Sequence, residues 1–339
     1  MMFSDDFRLL IWDMDGVLFY VRDSYRRSIV ESVQYYFSDL IGLSLKKPLI
    51  NAGDTQNFKY VEGFNDDWKL TYACVLCFLA DLVKDHPLSG PDNPVDLPGI
   101  RRGLKALGKS VHGWEPETDL SKITRKIKSS GKGLAGTEQA LSELYGEDVL
   151  AQAKRFWYTD VIKRIFQELY LGEELYRMKY SQDAVFFHGS GYIRDEKPLV
   201  SADSLEKLGS SFYMGIASGR ERFEAEYSLK LHGLDLFFPA DLIVSSEEVR
   251  HGKPDPESLL LCRKRMMGKY ALMDGEASAA YIGDSVDDVR ASQNAGFYSI
   301  GVLSASEEAE DRENLRREFV SLGCELIVED SKELIKLLS

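Results

Sequence analysis

Two aspartates, Asp13 and Asp15, directly follow a short apolar run near the start of the chain. Side chains two positions apart in an extended segment point the same way, so both carboxylates can face one site. Gly16 comes next and permits a sharp turn of the backbone. Carboxylates in this arrangement can attack an electrophile, transfer a proton or bind a hard metal ion.

Three further polar clusters follow later apolar runs. Their sequences are Ala217-Ser218-Gly219-Arg220, His251-Gly252-Lys253-Pro254-Asp255-Pro256 and Gly283-Asp284-Ser285-Val286-Asp287-Asp288. Each cluster has a structural explanation of its own, since Ser218 with Glu221 and Ser285 with Asp288 fit helix capping boxes. The order of the four clusters along the chain is the more specific signal, because all the structural explanations would have to coincide at one edge of one sheet.

The elements that must position these clusters are short buried strands separated by helices. Apolar runs predict strands at residues 7–12, 212–217, 241–245, 279–283, 298–302 and 325–328. Helical patterns occupy residues 221–231, 256–267, 286–295 and 307–322. Strands that alternate with helices form right-handed crossovers, so the sequence predicts a Rossmann-like α/β fold with a doubly wound parallel sheet.

Residues 21–195 follow a different pattern, in which apolar residues recur at helical spacing. We therefore expect an enlarged all-helical domain at 21–195, inserted after the first strand. The α/β core would then consist of residues 1–20 and 196–339.

The balance of charge excludes several classes of partner. The chain of 339 residues has 42 Lys and Arg residues against 55 Asp and Glu residues, a net charge of -13. So acidic a protein is a poor candidate for binding nucleic acid or anionic membranes, and we expect neither.

No apolar run approaches the roughly 18 residues that span a bilayer, and the first residues lack the order of a secretory signal. Four cysteines are too few for a disulfide scaffold, which favours reduced thiols and a cytoplasmic location.

The four clusters together resemble the motifs of the haloacid dehalogenase superfamily. The matching motifs are Asp13-x-Asp15-Gly16-Val17, Ser218, Lys253-Pro254 and Gly283-Asp284-Ser285-x-x-Asp288. The insertion after the first motif resembles the helical C1-type cap of subfamily IA, although it is longer than a typical cap. The resemblance implies an enzyme that hydrolyses a small phosphomonoester, such as phosphoglycolate or a sugar phosphate, with Mg²⁺ as its cofactor.

The resemblance also implies a role for each motif residue. Asp13 would attack phosphorus and form an aspartyl-phosphate. Asp15 would protonate the leaving alcohol and then activate water. Ser218, at a helix N-terminus, and the backbone around Gly219 would bind the phosphoryl oxygens. Lys253 would neutralise developing charge and orient Asp13.

The charges of the motif residues call for a cation. Two unit charges about 4 Å apart repel by roughly 4 kcal/mol at an effective dielectric near 20, and a phosphate adds further negative charge. Oxygen ligands select a hard ion, so Mg²⁺ is expected. The Asp13 carboxylate, the Asp15 backbone carbonyl and Asp284 would hold it, with Asp288 as a ligand or as a residue that supports the ligands.

Substrate choice is expected to come from the helical insertion, where Arg26 and Asn65 are the candidate substrate-binding residues. Two alternatives stay open at this point. A phosphomutase on the same scaffold would need a group in the cap that shuttles protons, and no isolated motif indicates one. A non-catalytic binding protein with this fold is disfavoured by the intact set of motif residues.

Overall fold

The apolar run before Asp13 forms the central strand of a parallel sheet. The computed structural model describes residues 7–64, 66–85, 94, 96–111, 113–273, 277–304 and 309–338. It divides into two units, one made of Met1–Val21 and Glu196–Ser339 and the other of Arg22–Asp195.

Six parallel strands make up the main sheet of the first unit, in the order β5-β4-β1-β6-β7-β8. The strands of the described residues are β1 Leu9–Trp12, β2 Phe19–Tyr20, β3 Lys197–Pro198, β4 Tyr213–Ala217, β5 Ile243–Val244, β6 Ala279–Gly283, β7 Tyr298–Val302 and β8 Leu326–Val328. In the register of β1, Trp12 pairs with Ile216 on one side and Ile282 on the other. The carboxyl ends of β1, β4 and β6 therefore lie side by side. Strands β2 and β3 form a separate antiparallel pair.

The second unit is built from helices in the part of the chain that the structure describes. They are α1 Arg27–Tyr35, α2 Ala52–Lys59, α3 Asp67–Lys84, α4 Leu97–Ser110, α5 Leu120–Ser130, α6 Gly133–Tyr145, α7 Glu147–Lys154 and α8 Thr159–Tyr180, with π-helical turns at Arg22–Arg26 and Tyr36–Ile41. Helix α3 is buried along most of its length, and Cys74 and Cys77 lie in its core with no exposed surface. Burial raises the pKa of both thiols, so they act as apolar packing groups. None of the described helices combines the length and the apolar character needed to cross a membrane.

Helices cover both faces of the main sheet. They are α9 Ala202–Gly209, α10 Arg222–Leu231, α11 Glu257–Tyr270, α12 Val286–Ala295, α13 Ala309–Ser321 and α14 Ser331–Leu338. Alternate residues of β1 point to opposite faces. Leu9 and Ile11 pack with α11 and α12, whereas Leu10 and Trp12 pack with α9, α10 and α14. The predicted doubly wound α/β fold is confirmed.

Glu248 fastens the loop after β5 to two helices of the core. Arg265 of α11 donates a hydrogen bond to its Oε1 at 2.6 Å, while Arg222 of α10 and the Ser245 amide bind Oε2. Burial disfavours the charged form of Glu248, but the hydrogen bonds from Arg265 and Ser245 and the charge of Arg222 outweigh it. Together they lower the pKa of Glu248 to about 2.

We expect Glu248→Gln to lower the melting temperature at pH 7 more than at pH 3. The pKa in the fold lies below the unfolded value, so this stabilisation is complete above the unfolded pKa and is lost as pH falls through about 2. A quarter of the side chain is exposed, and solvent screening limits the effect at pH 7 to about 1 kcal/mol. Thermal unfolding of both proteins at the two pH values tests this. An equal difference at both would show that the charge of Glu248 contributes nothing.

Candidate active site

Asp13 follows β1 directly and occupies a buried position at the carboxyl end of the sheet. Its backbone N–H donates to the Ile282 carbonyl at 2.9 Å, which continues the pairing of β1 with β6. Only 6% of the residue is exposed. Its Oδ2 atom lies 2.9 Å from Lys253 Nζ. The sheet register therefore fixes the backbone of this carboxylate, and a lysine holds one of its two oxygens.

Lys253 connects the motif residues to one another. Besides Asp13, its Nζ atom lies 2.6 Å from Asp288 Oδ1 and donates to Tyr281 Oη at 2.9 Å. Burial alone would lower the pKa of Lys253, but the charges of Asp13 and Asp288 raise it well above its usual value. The lysine therefore stays protonated and presents a fixed positive charge beside Asp13.

The negative charges and the burial around Asp13 outweigh the positive charge of Lys253. Burial raises the pKa of Asp13 most strongly; Lys253 opposes this, and the charges of Asp288 and Asp15 add to the rise, which brings the pKa to about 7. A carboxylate must be ionised to attack phosphorus. Full ionisation of Asp13 at neutral pH thus calls for more positive charge than these side chains supply.

Asp288 uses both of its oxygens within the protein. Its Oδ1 pairs with Lys253, and its Oδ2 accepts hydrogen bonds from the Ser285 hydroxyl at 2.6 Å and from the amides of Ser285 and Asp284. The predicted capping box of Ser285 and Asp288 is present at the start of α12. A side chain at Gly283 would lie 2.2 Å from Asp288 Cβ, so only glycine permits this approach. The geometry favours Asp288 as the residue that orients Lys253 rather than as a metal ligand.

Asp15 lies against a buried arginine. Its Oδ1 accepts hydrogen bonds from Arg220 Nε at 2.8 Å and Arg220 Nη2 at 2.5 Å. The Arg220 side chain is fully buried, whereas 32% of the Asp15 side chain is exposed. The sequence placed Arg220 in the cluster after β4 but gave it no role. The sequence signal for such a role was the position of this arginine next to a buried strand, because a buried charged side chain needs a partner.

Ser218 and Gly219 lie in the loop after β4. Ser218 is buried, and its Oγ accepts the Arg220 N–H at 3.3 Å. Gly219 is exposed, with open space where a Cβ would project. Helix α10 begins only at Arg222, and no side chain caps it. The predicted capping box with Glu221 and the placement of Ser218 at a helix N-terminus are therefore wrong, because the chain makes a turn before α10 starts.

Tyr281 is a further residue of this cluster that the sequence analysis missed. It accepts a hydrogen bond from Lys253, donates to the Ala217 carbonyl at 3.0 Å and lies 3.3 Å from Asp288 Oδ1. Its signal was a tyrosine within an otherwise small and aliphatic strand, because a buried phenol requires a hydrogen-bond partner. Tyr281 ties the ends of β4 and β6 to the lysine.

The carboxylates suit a hard cation. Carboxylate oxygens of Asp13, Asp284 and Asp288 lie within 4.8 Å of one another. Asp284 is half-buried, and with Asp288 bonded elsewhere, Asp13 and Asp284 are the better-suited ligands. Donors that are all oxygen fit Mg²⁺, and the excess of negative charge around Asp13 favours binding.

Arg26 is the candidate substrate-binding residue that the structure describes, and it lies in the second unit. Arg26 ends the π-helical turn Arg22–Arg26 and is half-buried. Asn65 lies outside the described residues. Their role in binding substrate stays a prediction.

Comparison with known sequences matches the core of the chain. A family model described as haloacid dehalogenase-like hydrolase matches residues 201–302. Pyrophosphatase PpaX of Bacillus velezensis is 36% identical over 100 residues, which is 30% of this chain and 42% of that protein. Imidazoleglycerol-phosphate dehydratase of Phytophthora nicotianae is 24% identical over 295 residues, 87% of this chain and 43% of that protein. The chain spans less than half the length of these curated relatives.

Solved structures share the fold along nearly the whole chain. A protein solved by the Northeast Structural Genomics Consortium superimposes with a TM-score of 0.69 at 20% identity, covering 98% of both chains. Phosphatase Tt82 of Thermococcus thioreducens gives a TM-score of 0.53 at 22% identity, covering 90% of this chain and 98% of its own. At these identities the likeness concerns the fold.

Proposed function

Because this chain belongs to the haloacid dehalogenase superfamily, we propose that it is a Mg²⁺-dependent phosphatase that hydrolyses a small phosphomonoester. The observation that carries the proposal is the carboxylate of Asp13, buried at the end of β1 with Lys253 on one oxygen and Asp15 two residues away. This is the minimum set for covalent phosphoryl transfer: a nucleophile, a cation beside it and an acid–base group.

In the first half of the reaction, Asp13 attacks phosphorus. Lys253 holds Oδ2, so Oδ1 is the atom that forms the new bond. The bond from phosphorus to the ester oxygen breaks, and Asp15 gives its proton to that oxygen. The products are an alcohol and a phosphorylated Asp13.

In the second half, Asp15 takes a proton from a water molecule that attacks phosphorus. The bond from phosphorus to Asp13 breaks, which releases inorganic phosphate, restores the Asp13 carboxylate and returns Asp15 to its protonated form. Ser218 donates to the phosphoryl oxygens, and Lys253 balances charge on the transferring group. Mg²⁺, held by the Asp13 carboxylate, the Asp15 backbone carbonyl and Asp284, would neutralise the repulsion between phosphate and carboxylates.

The proposed substrate is a class of compound, the small phosphomonoesters, and not one named metabolite. Phosphoglycolate and sugar phosphates are small phosphomonoesters of the kind this mechanism cleaves. The pyrophosphatase relative adds pyrophosphate as a candidate. The dehydratase relative is only 24% identical to this chain, so its named activity is not taken as a candidate.

The test is phosphate release from p-nitrophenyl phosphate and from a panel of phosphometabolites, with and without Mg²⁺. We expect turnover that depends on Mg²⁺ and a preference for one substrate class. Binding of phosphate esters without any release of phosphate would favour the non-catalytic alternative. Isomerisation of a sugar phosphate without net hydrolysis would favour the phosphomutase.

We expect Arg26→Ala to lower kcat/KM for the preferred metabolite about tenfold, or about 1.4 kcal/mol, since a guanidinium can bind an anionic or polar substrate group. Small aryl phosphates should lose much less, because they lack the group that Arg26 would bind. Arg27→Ala is the matched control, as Arg27 pairs with Glu31 and Asp195 and stacks on Tyr192. Equal losses on both substrates would assign Arg26 a structural role.

We also place the protein in the cytoplasm. Its four cysteines are all unpaired thiols, and three of them are buried. Reduced cysteines are typical of cytosolic proteins, whereas small secreted domains use them in disulfides.

A further inference from the structure

The buried guanidinium of Arg220 contacts the candidate general acid from the protein side. We propose that Arg220 is a positioning residue for Asp15, which fixes one carboxylate oxygen so that the other carries the proton to the leaving group. The inference rests on the proposed phosphatase function. It adds a residue to the reaction that the motifs do not include.

The hydrogen bonds select one oxygen of Asp15. Both Nε and Nη2 of Arg220 donate to Oδ1, at 2.8 and 2.5 Å. The structure records no hydrogen bond to the other oxygen, Oδ2, from any residue that it describes. Asp15 is also the more exposed partner, with 32% of its side chain accessible. Oδ2 is therefore the oxygen that can reach a substrate.

The orientation of Arg220 is itself fixed on the opposite side. Its Nη1 donates to Glu196 Oε2 at 2.9 Å and to Ser228 Oγ at 2.7 Å. The Arg220 and Glu196 side chains have no exposed surface, and the Ser228 hydroxyl donates to the same glutamate oxygen at 2.7 Å. A planar guanidinium can donate in two directions at once, whereas a lysine ammonium cannot reproduce this fork. Because its own position is fixed, Arg220 holds the Asp15 carboxylate in one orientation.

The proposal predicts an effect that depends on the leaving group. When the phosphorus–oxygen bond breaks, an alkyl leaving group needs the proton of Asp15 to depart as a neutral alcohol. A p-nitrophenolate leaves as a stable anion and needs little help. A misplaced Asp15 therefore slows transfer from alkyl phosphates far more than from p-nitrophenyl phosphate. A general loss of structure would slow both by the same factor.

The experiment compares kcat/KM for p-nitrophenyl phosphate and for an alkyl phosphate, glycerol 2-phosphate, in the wild type and in Arg220→Lys. The parameter kcat/KM reports the first transfer, in which the leaving group departs. We expect Arg220→Lys to lower the value for glycerol 2-phosphate at least tenfold and the value for p-nitrophenyl phosphate less than threefold. Arg222→Lys is the matched control, because Arg222 follows in the same segment but binds Glu248 and the Ile243 carbonyl rather than Asp15. It should change both values by one common factor.

A second comparison tests the coupling with Asp15. Asp15→Asn should give the same dependence on the leaving group, and adding Arg220→Lys to it should cost less than threefold more, because both changes remove one function. Equal losses on the two substrates in Arg220→Lys, or independent and additive losses in the double variant, would overturn the proposal. A wild type without activity on either ester or on any member of the phosphometabolite panel would instead refute the phosphatase function.

The design allows for poor folding of Arg220→Lys. Without the Arg220 guanidinium, the buried Glu196 carboxylate lacks its full set of partners, which can destabilise the core. Arg220→Met combined with Glu196→Gln removes both buried charges and permits the same two-substrate comparison. A selective loss on glycerol 2-phosphate in that variant supports the positioning role, and a uniform loss overturns it.

Discussion

Asp13→Asn should abolish hydrolysis of every phosphomonoester that the wild-type protein cleaves. An amide is nearly isosteric with a carboxylate but is a poor nucleophile, so the first transfer to phosphorus has no attacking group. Loss of a catalytic nucleophile typically lowers kcat by about 10⁴-fold or more. Initial rates with p-nitrophenyl phosphate are the suitable measure, because this ester depends least on the general acid.

The fold should tolerate this substitution. Burial, together with Asp288 and Asp15, raises the pKa of Asp13 to about 7, so a neutral side chain at this position removes unfavourable charge. The circular dichroism spectrum and melting temperature should therefore stay close to those of the wild type. A well-folded Asp13→Asn protein that retains full activity would refute the covalent mechanism.

A chemical trap separates the two aspartates. Rapid acid quenching of the enzyme during turnover should leave phosphoryl label on Asp13 and none on Asp15. Asp15→Asn is the matched variant: it keeps the nucleophile but lacks the base that activates water. It should accumulate label from p-nitrophenyl phosphate, and label on Asp15 in the wild type would reverse the assignment.

The central sheet could be predicted because its strands are buried on both faces. A strand such as Leu9–Trp12 is apolar at every position, which marks it even in a single sequence. The antiparallel pair of Phe19–Tyr20 with Lys197–Pro198 was missed, because two residues are too few to show a period. One strand precedes the helical insertion in the chain and the other follows it, so no local pattern indicates that they pair.

The helical insertion was predicted in class but not in detail. Residues 122–132 are rich in lysine and serine, and this composition alone gives little sign of a buried face. The structure places most of these residues in α5, Leu120–Ser130, whose Ile123 and Ile127 are buried. Packing of a few apolar residues outweighed the polar composition there.

The motif residues were accessible to the sequence, whereas the residues that orient them were not. Asp13 and Asp15 follow a recognisable strand, but Arg220 reaches Asp15 across 205 positions of chain. Similarly, nothing local to Asp288 indicates that Lys253 and Tyr281 bind its Oδ1. Such contacts arise because parallel strands bring distant segments to one edge of the sheet, and only the register of the strands determines which side chains meet.

Removal of Mg²⁺ should reduce phosphatase activity to the background level. We expect the ion to be needed because Lys253 and Arg220 face four carboxylates, Asp13, Asp15, Asp284 and Asp288, and a phosphate brings further negative charge. Dialysis against a chelator should abolish turnover, and added Mg²⁺ should restore it. Ca²⁺ should not substitute, since its larger and more flexible coordination shell would misplace Asp13 relative to phosphorus.

Two neighbouring aspartates should respond differently when Mg²⁺ is titrated. Asp284→Asn removes a proposed ligand and should weaken Mg²⁺ binding at least about 100-fold, measured by calorimetry on the substrate-free protein and by activation of turnover. Asp288 already bonds Lys253, Ser285 and the start of α12, so Asp288→Asn should lower kcat while weakening Mg²⁺ binding only about 10-fold. Equal weakening in both variants would make Asp288 a direct ligand.

Undiminished activity after complete chelation would remove the metal from the mechanism, because the protein's own cations would then suffice to balance the carboxylates and the phosphate.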